Sequence, residues 1–185
     1  EDVYGYRARP VGDPVLRVEA VTGPGLARPV SFEVRAGEIV GLFGLVGAGR
    51  SELLRLLGGA TRLTGGTVRI DGRLARLHDP RQAIREGIVL CPEDRREEGL
   101  LPSRSVLENL AIGKRNLGKH PWVRPSAERA SAEVVGKRLD IRGAGLDVPV
   151  AVLSGGNQQK VVLGRWLDTP LGVALLDEPT RGVDG

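Results

Sequence analysis

The spacing of apolar and polar positions changes period several times along the chain, and each change predicts an element. Val15 to Val21 alternates, with Val15, Arg17, Glu19 and Val21 opposed to Leu16, Val18 and Ala20. This predicts an edge strand of a small antiparallel sheet, which Val30 to Val34 continues. The turn Arg35-Ala36-Gly37-Glu38 then feeds a continuous apolar run from Glu38 to Phe43, the pattern of a buried strand, and a helical pattern follows from Glu52 to Leu57. A second alternating strand is expected over Thr67 to Ile70, closed by the hairpin signal Asp71-Gly72.

Farther on, Asp79-Pro80 sets a capping side chain before a proline at the first helical position, and that helix closes at Gly87. Ile88 to Cys91 reads as a short buried strand. Ser105-Val106-Leu107-Glu108 is a capping box, and Ser126 opens a helix through Leu139 after the break at Gly118 to Pro125. The helix after Ser154 carries Val162, Leu163, Trp166 and Leu167 on one face as core residues, and Thr169-Pro170 ends it. The last expected strand is the apolar run Val173-Ala174-Leu175-Leu176, which ends in Asp177 and Glu178.

A chain of 185 residues can hold one large domain or a core with an insertion. The character changes from Asp94 to about Val150, where helical patterns replace strands. Glu1 to Pro14, with Pro10, Gly12 and Pro14, reads as a linker arriving from an upstream domain. With no starting Met and a stop at Gly185 just after a site-like stretch, the chain is expected to be a fragment of a longer protein. Its apolar runs fall short of a membrane span and no signal peptide is evident, which predicts a soluble fragment. The single Cys91 excludes an internal disulfide and a cysteine zinc site, and is expected to serve as a small packing residue. The net charge of +4 comes with scattered arginines and only 3% aromatics, which speaks against a stacking platform for single strands and for a mixed-charge solvated surface.

Three stretches carry candidate chemistry. Gly44-Leu45-Val46-Gly47-Ala48-Gly49-Arg50-Ser51 stands between the apolar run and a helix, the form of a phosphate loop with Arg in the Lys position. In such a loop successive backbone N–H groups from Val46 to Ser51 form a nest for a phosphate, and the Ser51 hydroxyl can hold Mg²⁺. Leu153-Ser154-Gly155-Gly156-Asn157-Gln158-Gln159-Lys160 is a serine-capped helix start whose free N–H groups and dipole favour an anion. Taken alone, it also fits a well-capped surface helix. Asp177 and Glu178 end a buried strand, where one carboxylate can hold magnesium and the other can act as general base. That pattern alone occurs in many α/β proteins.

In this order and spacing the three stretches resemble the nucleotide-binding domain of ABC-type ATPases. Cys91-Pro92-Glu93-Asp94-Arg95-Arg96 with Gly99-Leu100, Asn157-Gln158-Gln159-Lys160 and Asp177-Glu178-Pro179-Thr180-Arg181-Gly182 look like the second such domain of bacterial monosaccharide importers, most of all the arabinose importers. The resemblance implies an α/β P-loop NTPase core of ABC type with an N-terminal antiparallel β subdomain and an inserted helical subdomain. Residues 1–14 would be the linker, 15–185 the domain, truncated before the family's switch histidine, with the helical insertion at about 94–150.

The resemblance further implies ATP and Mg²⁺ as ligands. Gly44, Leu45, Val46, Gly47, Ala48, Gly49, Arg50 and Ser51 would bind ATP, Ser51 and Asp177 the metal, and Glu178 would act as base. Glu93 stands where the family usually has a Gln that senses magnesium and the attacking water. Ser154, Gly155, Gly156, Asn157 and Gln158 would close over ATP held by a partner domain. Implied partners are the upstream nucleotide-binding domain of the same subunit, membrane permease subunits and, indirectly, a periplasmic sugar-binding protein, at the cytoplasmic face of the bacterial inner membrane.

Three departures bear on activity. Arg50 is a wider planar fork than the family's Lys, Val21 to Arg28 lacks the adenine-stacking aromatic, and Glu93 replaces Gln. A hydrolysis-impaired regulatory half is therefore an open alternative. A chromosome-maintenance ATPase is another, although no heptads separate the loop from the Ser-Gly-Gly helix. His78 and His120 both precede that helix and read as surface residues.

Overall fold

The alternating segment at the start forms strand β1 (Pro14–Thr22), flanked by antiparallel partners β2 (Val30–Arg35) and β3 (Gly65–Ile70). With β4 (Arg73–Leu74) they make a sheet of order β2-β1-β3-β4. The computed structural model describes residues 10–117, 124–143, 145–167 and 169–180. These divide into two compact units between Glu86 and Gly87. The sheet belongs to the first.

Strict alternation would put Val21 on the face of Arg17 and Glu19, yet Val21 is fully buried together with Leu16 and Val18. The reason is a bulge. Register shifts on both sides of β1 fall between Val18 and Thr22, and Ala20 there takes a left-handed φ of 48°. One extra residue flips the phase, so Val21 returns to the core face. On the outer face Arg17 pairs with Glu33 at 2.8 Å, and Thr67 donates to Glu19 at 2.8 Å. The Asp71-Gly72 signal forms the β3–β4 turn, with φ of 47° and 75°, the left-handed pair that a two-residue hairpin requires.

Helix α1 (Arg50–Leu57) buries Leu53, Leu54, Leu56 and Leu57. The loop after β1 lies directly on it. A side chain at Gly23 would run into Leu56, and one at Gly25 into Glu52 at 2.3 Å. Helix α2 (Pro80–Arg85) begins as expected, with the Asp79 carboxylate accepting from the Gln82 N–H at 2.9 Å. The segment read as linker is already tied down at its end, since Gly12 and Asp13 exchange backbone hydrogen bonds with Ala36. Residues 1–9 lie outside the described residues.

The apolar run Glu38 to Phe43 does not form the expected strand: Ile39 is 96% exposed and Phe43 94%. A continuous apolar run holds strand form where neighbouring strands pair both its edges and packed elements cover both its faces. Among the described residues it pairs with neither edge of the sheet in its own unit.

The second unit holds the parallel pair β5 (Ile88–Cys91) and β6 (Val173–Leu176), paired from Ile88↔Val173 to Cys91↔Leu176. It also holds α3 (Val106–Leu117), α4 (Pro125–Arg138) and α5 (Gly155–Leu167). The helical stretch expected at about 94–150 lies wholly within this unit. Cys91 is a buried core residue beside Leu100, Val106, Leu110, Val161 and Val162, and burial pushes its thiol up to about 11. The apolar face of α5 is turned from the expected one. Val161 and Val162 are fully buried, Leu163 and Trp166 partly, and Leu167 is exposed.

Two glycines let the helices meet. A Cβ on Gly113 of α3 would lie 2.2 Å from the Arg165 carbonyl of α5, and one on Gly164 would strike Val135 of α4 at 2.8 Å. Asn109 is fully buried and fully used: its Oδ1 accepts from the Leu101 N–H at 2.9 Å, and its Nδ2 donates to the carbonyls of Leu101, Arg104 and Ser105. It holds the loop ahead of α3. The capping box also forms, the Ser105 N–H donating to Glu108 at 2.9 Å and the Glu108 N–H to Ser105 Oγ at 3.1 Å. The Ser105 N–H first, and then the Ser105 hydroxyl donating at 3.1 Å, hold the Glu108 carboxyl below its usual value of 4.5.

Candidate functional site

In the first unit the candidate phosphate loop is shaped by glycines. Gly47 and Gly49 hold φ of 80° and 83°, and Gly49 caps α1 in left-handed conformation with no side-chain hydrogen bond. Residues other than glycine meet strain in that region. Alternation of left- and right-handed residues turns successive N–H groups to one side, which makes an anion nest, and the α1 dipole adds positive charge. The Ala48 N–H already donates to the Leu45 carbonyl at 3.0 Å, and the Leu53 N–H closes the first turn on Gly49 at 2.9 Å. Arg50 opens α1, and its Cδ lies 4.0 Å from where a Cβ on Gly44 would be. Ser51 follows it in the same turn. Leu45 and Val46 are exposed.

In the second unit β6 delivers the acids. The Asp177 N–H donates to the Cys91 carbonyl at 3.0 Å, one bond past the β5–β6 ladder, and Asp177 is 7% exposed. Glu178 is exposed and adopts φ of 44°, a conformation that costs a non-glycine residue on the order of 1–3 kcal/mol. Glu93 lies two residues past β5 and is half-buried. Strand pairing thus sets Glu93 and Asp177 at the same carboxyl end of adjacent strands. Just beyond, Asp94 accepts from the Arg96 and Glu97 N–H groups at 3.0 Å each and caps a π-helical turn, Arg95–Gly99.

The amino end of α5 is the most fully specified part. Ser154 Oγ accepts from Asn157 Nδ2 at 2.9 Å and from the Asn157 backbone N–H at 3.4 Å. A hydroxyl has two acceptor sites and one donor. Both acceptor sites are taken, so the O–H of this exposed serine is left to donate outward, beside first-turn N–H groups at Gly155 and Gly156 that have no helical acceptor. The arrangement suits an anionic oxygen. Asn157 is braced from the far side by the Arg142 N–H, which donates to its Oδ1 at 2.8 Å. Arg142 in turn pairs with Asp140, whose carbonyl accepts from Lys160 at 2.7 Å.

Gln158 differs from its four neighbours. Its side chain is 1% exposed and turned into the protein, donating to Leu153 O at 2.9 Å. Arg96, Asp140 and Arg142, which brace this end, were not found from the sequence. Arg96 stands in a turn remote from α5 along the chain and Arg142 in the loop that leads to it, and no local pattern marks either as a brace. Of the two histidines His78 is exposed, and His120 lies outside the described residues, as do Arg181 and Gly182.

The Ser51 hydroxyl in the first unit and the nearly buried Asp177 carboxylate in the second are each, taken separately, hard oxygen groups of the type a divalent cation takes. Mg²⁺ keeps several waters and takes one or two protein oxygens, so the donor types fit it. No group of three or more His, Cys, Asp and Glu side chains gathers among the described residues. Nor is any helix there long and apolar enough to cross a membrane.

The chain is similar over its whole length to two arabinose import ATP-binding proteins. It is 52% identical over 186 residues to one from Burkholderia cenocepacia and 50% identical over 186 residues to one from Pseudomonas fluorescens. It spans 36% of the length of each. Among solved structures, a nucleotide-free ATP-binding cassette from an ABC transporter matches 92% of the chain at 27% identity and a TM-score of 0.71, the chain covering 71% of that cassette. A dimeric cassette in a post-hydrolysis state with ADP and Pi matches 92% of the chain at 23% identity with a TM-score of 0.77, the chain covering 76% of it, which shows the fold. The family model described as ABC transporter matches residues 27–181, so the chain belongs to the ABC transporter family, with its ABC-type P-loop NTPase fold.

Proposed function

We propose that this chain is the second nucleotide-binding domain of the ATPase subunit of a bacterial monosaccharide importer, with an arabinose-like pentose as the transported sugar. The observation that carries the reading is the amino end of α5, where Asn157 occupies both acceptor sites of Ser154 and leaves its hydroxyl to donate. That end would close over the γ-phosphate of ATP held by the upstream domain of the same subunit. The chain's own phosphate loop, from Gly44 to Ser51, would cradle a second ATP through backbone N–H groups. Ser51 and Asp177 would hold Mg²⁺, which neutralises the phosphate oxygens when bound. Glu178 would accept the proton of the attacking water, and Glu93 would orient that water.

ATP shared between two such domains acts as a ligand of the closed state, and its hydrolysis releases that state. The opening and closing would drive membrane permease subunits at the cytoplasmic face of the inner membrane, with a periplasmic binding protein supplying the sugar. A second reading is favoured by Arg50: its broad guanidinium in so tight a loop suits a half that binds nucleotide and hydrolyses it poorly. Phosphate release and arabinose uptake by the full-length subunit with its permease decide between them. ATP turnover stimulated by loaded binding protein supports the import reading. Tight binding without turnover at this site supports the regulatory one, and no nucleotide binding overturns both.

A further inference from the structure

We propose that Gln158 is a positioning residue for the amino end of α5, fixing the backbone that delivers Ser154 and making no contact with nucleotide. This deepens the ATPase reading and rests on it. Buried to 1% exposure, the Gln158 amide cannot meet a ligand at the surface. It faces the backbone just ahead of the helix instead. Nε2 donates to Leu153 O at 2.9 Å, with longer contacts to Ala151 O at 3.4 Å and Val150 O at 3.5 Å.

Those carbonyls belong to the 3₁₀ turn Val150–Val152 and to Leu153, the residue before the candidate donor. Leu153 is buried and the Val150 carbonyl already accepts from the Leu153 N–H, so an apolar side chain at 158 would take from the Leu153 carbonyl its 2.9 Å donor, a cost that favours another path for the loop. The Gln158 N–H also closes the first bond of α5 on Ser154 O at 2.9 Å. One residue therefore grips the chain on both sides of the Leu153–Ser154 peptide. Asn157 clamps the same serine from the outer side, so Ser154 is held between a half-buried amide and a fully buried one.

The other end of the Gln158 amide reaches toward the segment after Glu93. Its Oε1 accepts from Arg96 Nε at 3.5 Å, within the π-helical turn that Asp94 caps. Gln158 thus joins the turn that follows Glu93 to the turn that precedes Ser154. Displacement of either is felt by the other through one side chain.

The test uses the full-length subunit. Gln158→Met keeps the volume without the amide, and Gln158→Glu keeps an acceptor toward Arg96 while losing, when ionised, the donor toward Leu153. For each, steady-state phosphate release, equilibrium binding of a fluorescent ATP analogue and hydrogen exchange of the peptide spanning residues 150–160 are measured, alone and combined with Ser154→Ala. Expected are a fall in turnover of about tenfold or more, nucleotide affinity within about threefold, and faster exchange at Gly155 to Asn157. The double variants should be no slower than the slower single, because both changes act through one donor. Wild-type turnover and exchange in Gln158→Met would overturn the proposal, as would additive losses. Failure of both variants to fold would also overturn it, by making Gln158 a stability residue. Absence of turnover in the unmodified subunit counts against the ATPase reading instead, while hydrogen exchange still decides the positioning role.

Discussion

Two helix ends in this chain are candidates for phosphate, and they are held in opposite ways. The amino end of α1 is set by left-handed glycines and has no side-chain cap. The amino end of α5 is set by side chains, with Ser154, Asn157 and Gln158 each bonded in place. The difference follows from which group must do the binding. A loop that wraps a phosphate in backbone N–H groups cannot let a capping side chain take them. An end that offers a hydroxyl needs neighbours that consume its acceptor sites.

The largest expected effect breaks the α5 end. In the full-length subunit a bulky replacement such as Gly155→Val obstructs the anion's approach to the first-turn donors. Loss of one such donor costs about 10²–10³ in turnover. Glu178→Gln, which acts at the site whose loop carries Arg50, should cost less if the broad guanidinium already slows that site. Phosphate release and sugar uptake for the two variants make the comparison, and an equal or greater loss from Glu178→Gln would show this chain's own site hydrolysing as well as its partner's.

Stability separates the units next. Gly113 is required by close packing, 2.2 Å from the Arg165 carbonyl to a built Cβ, so Gly113→Ala should destabilise the second unit by about 1–3 kcal/mol. Gly47 has open space around it and is required only by its φ of 80°, so Gly47→Ala should cost about 1–2 kcal/mol. Denaturant unfolding measures both. Equal stability of Gly113→Ala and the unmodified chain would remove the helix crossing described here.

What could be read in the sequence follows the same division. Caps and turns are local chemistry, and Asp79, the Ser105–Glu108 box, the Asp71-Gly72 hairpin and Ser154 all form. Periodicity failed where geometry intervened. The bulge at Ala20 reversed the phase of Val21, and the rotation of α5 exposed Leu167. The apolar run through Phe43 was legible as apolar but not as unpaired, because pairing depends on strands distant in sequence. Asn109 and Gln158 bond to backbone groups four to eight residues back, in the turns that precede their own helices, and no apolar period in the sequence marks that role.

A smaller effect sharpens the α1 side. If the width of the guanidinium misplaces the γ-phosphate, Arg50→Lys should leave ATP affinity similar or tighter and raise turnover at this site several-fold. Single-site turnover measured with the partner site disabled tests it. No change would move the limitation to Glu93 or to base binding.

The smallest expected effect concerns acid. Glu108 is held below its usual 4.5 by hydrogen bonds from the Ser105 N–H and hydroxyl, and Glu128 is lowered first by its hydrogen bond from Arg115 and then by that charge. For a carboxylate with a lowered folded value, the folded state binds fewer protons than the unfolded one. The stabilisation is therefore complete above 4.5 and lost as the pH falls through the lower folded value. Both groups sit on the helices of the second unit, so melting followed by helical circular dichroism should show a fall as the pH drops below 4.5. Glu108→Gln discriminates the cause, because glutamine can still close a capping box yet does not titrate. Its melting temperature should fall less over that interval than the unmodified chain's. Superimposable acid profiles would assign the loss to Glu128 and the remaining carboxylates, leaving the cap of α3 indifferent to charge.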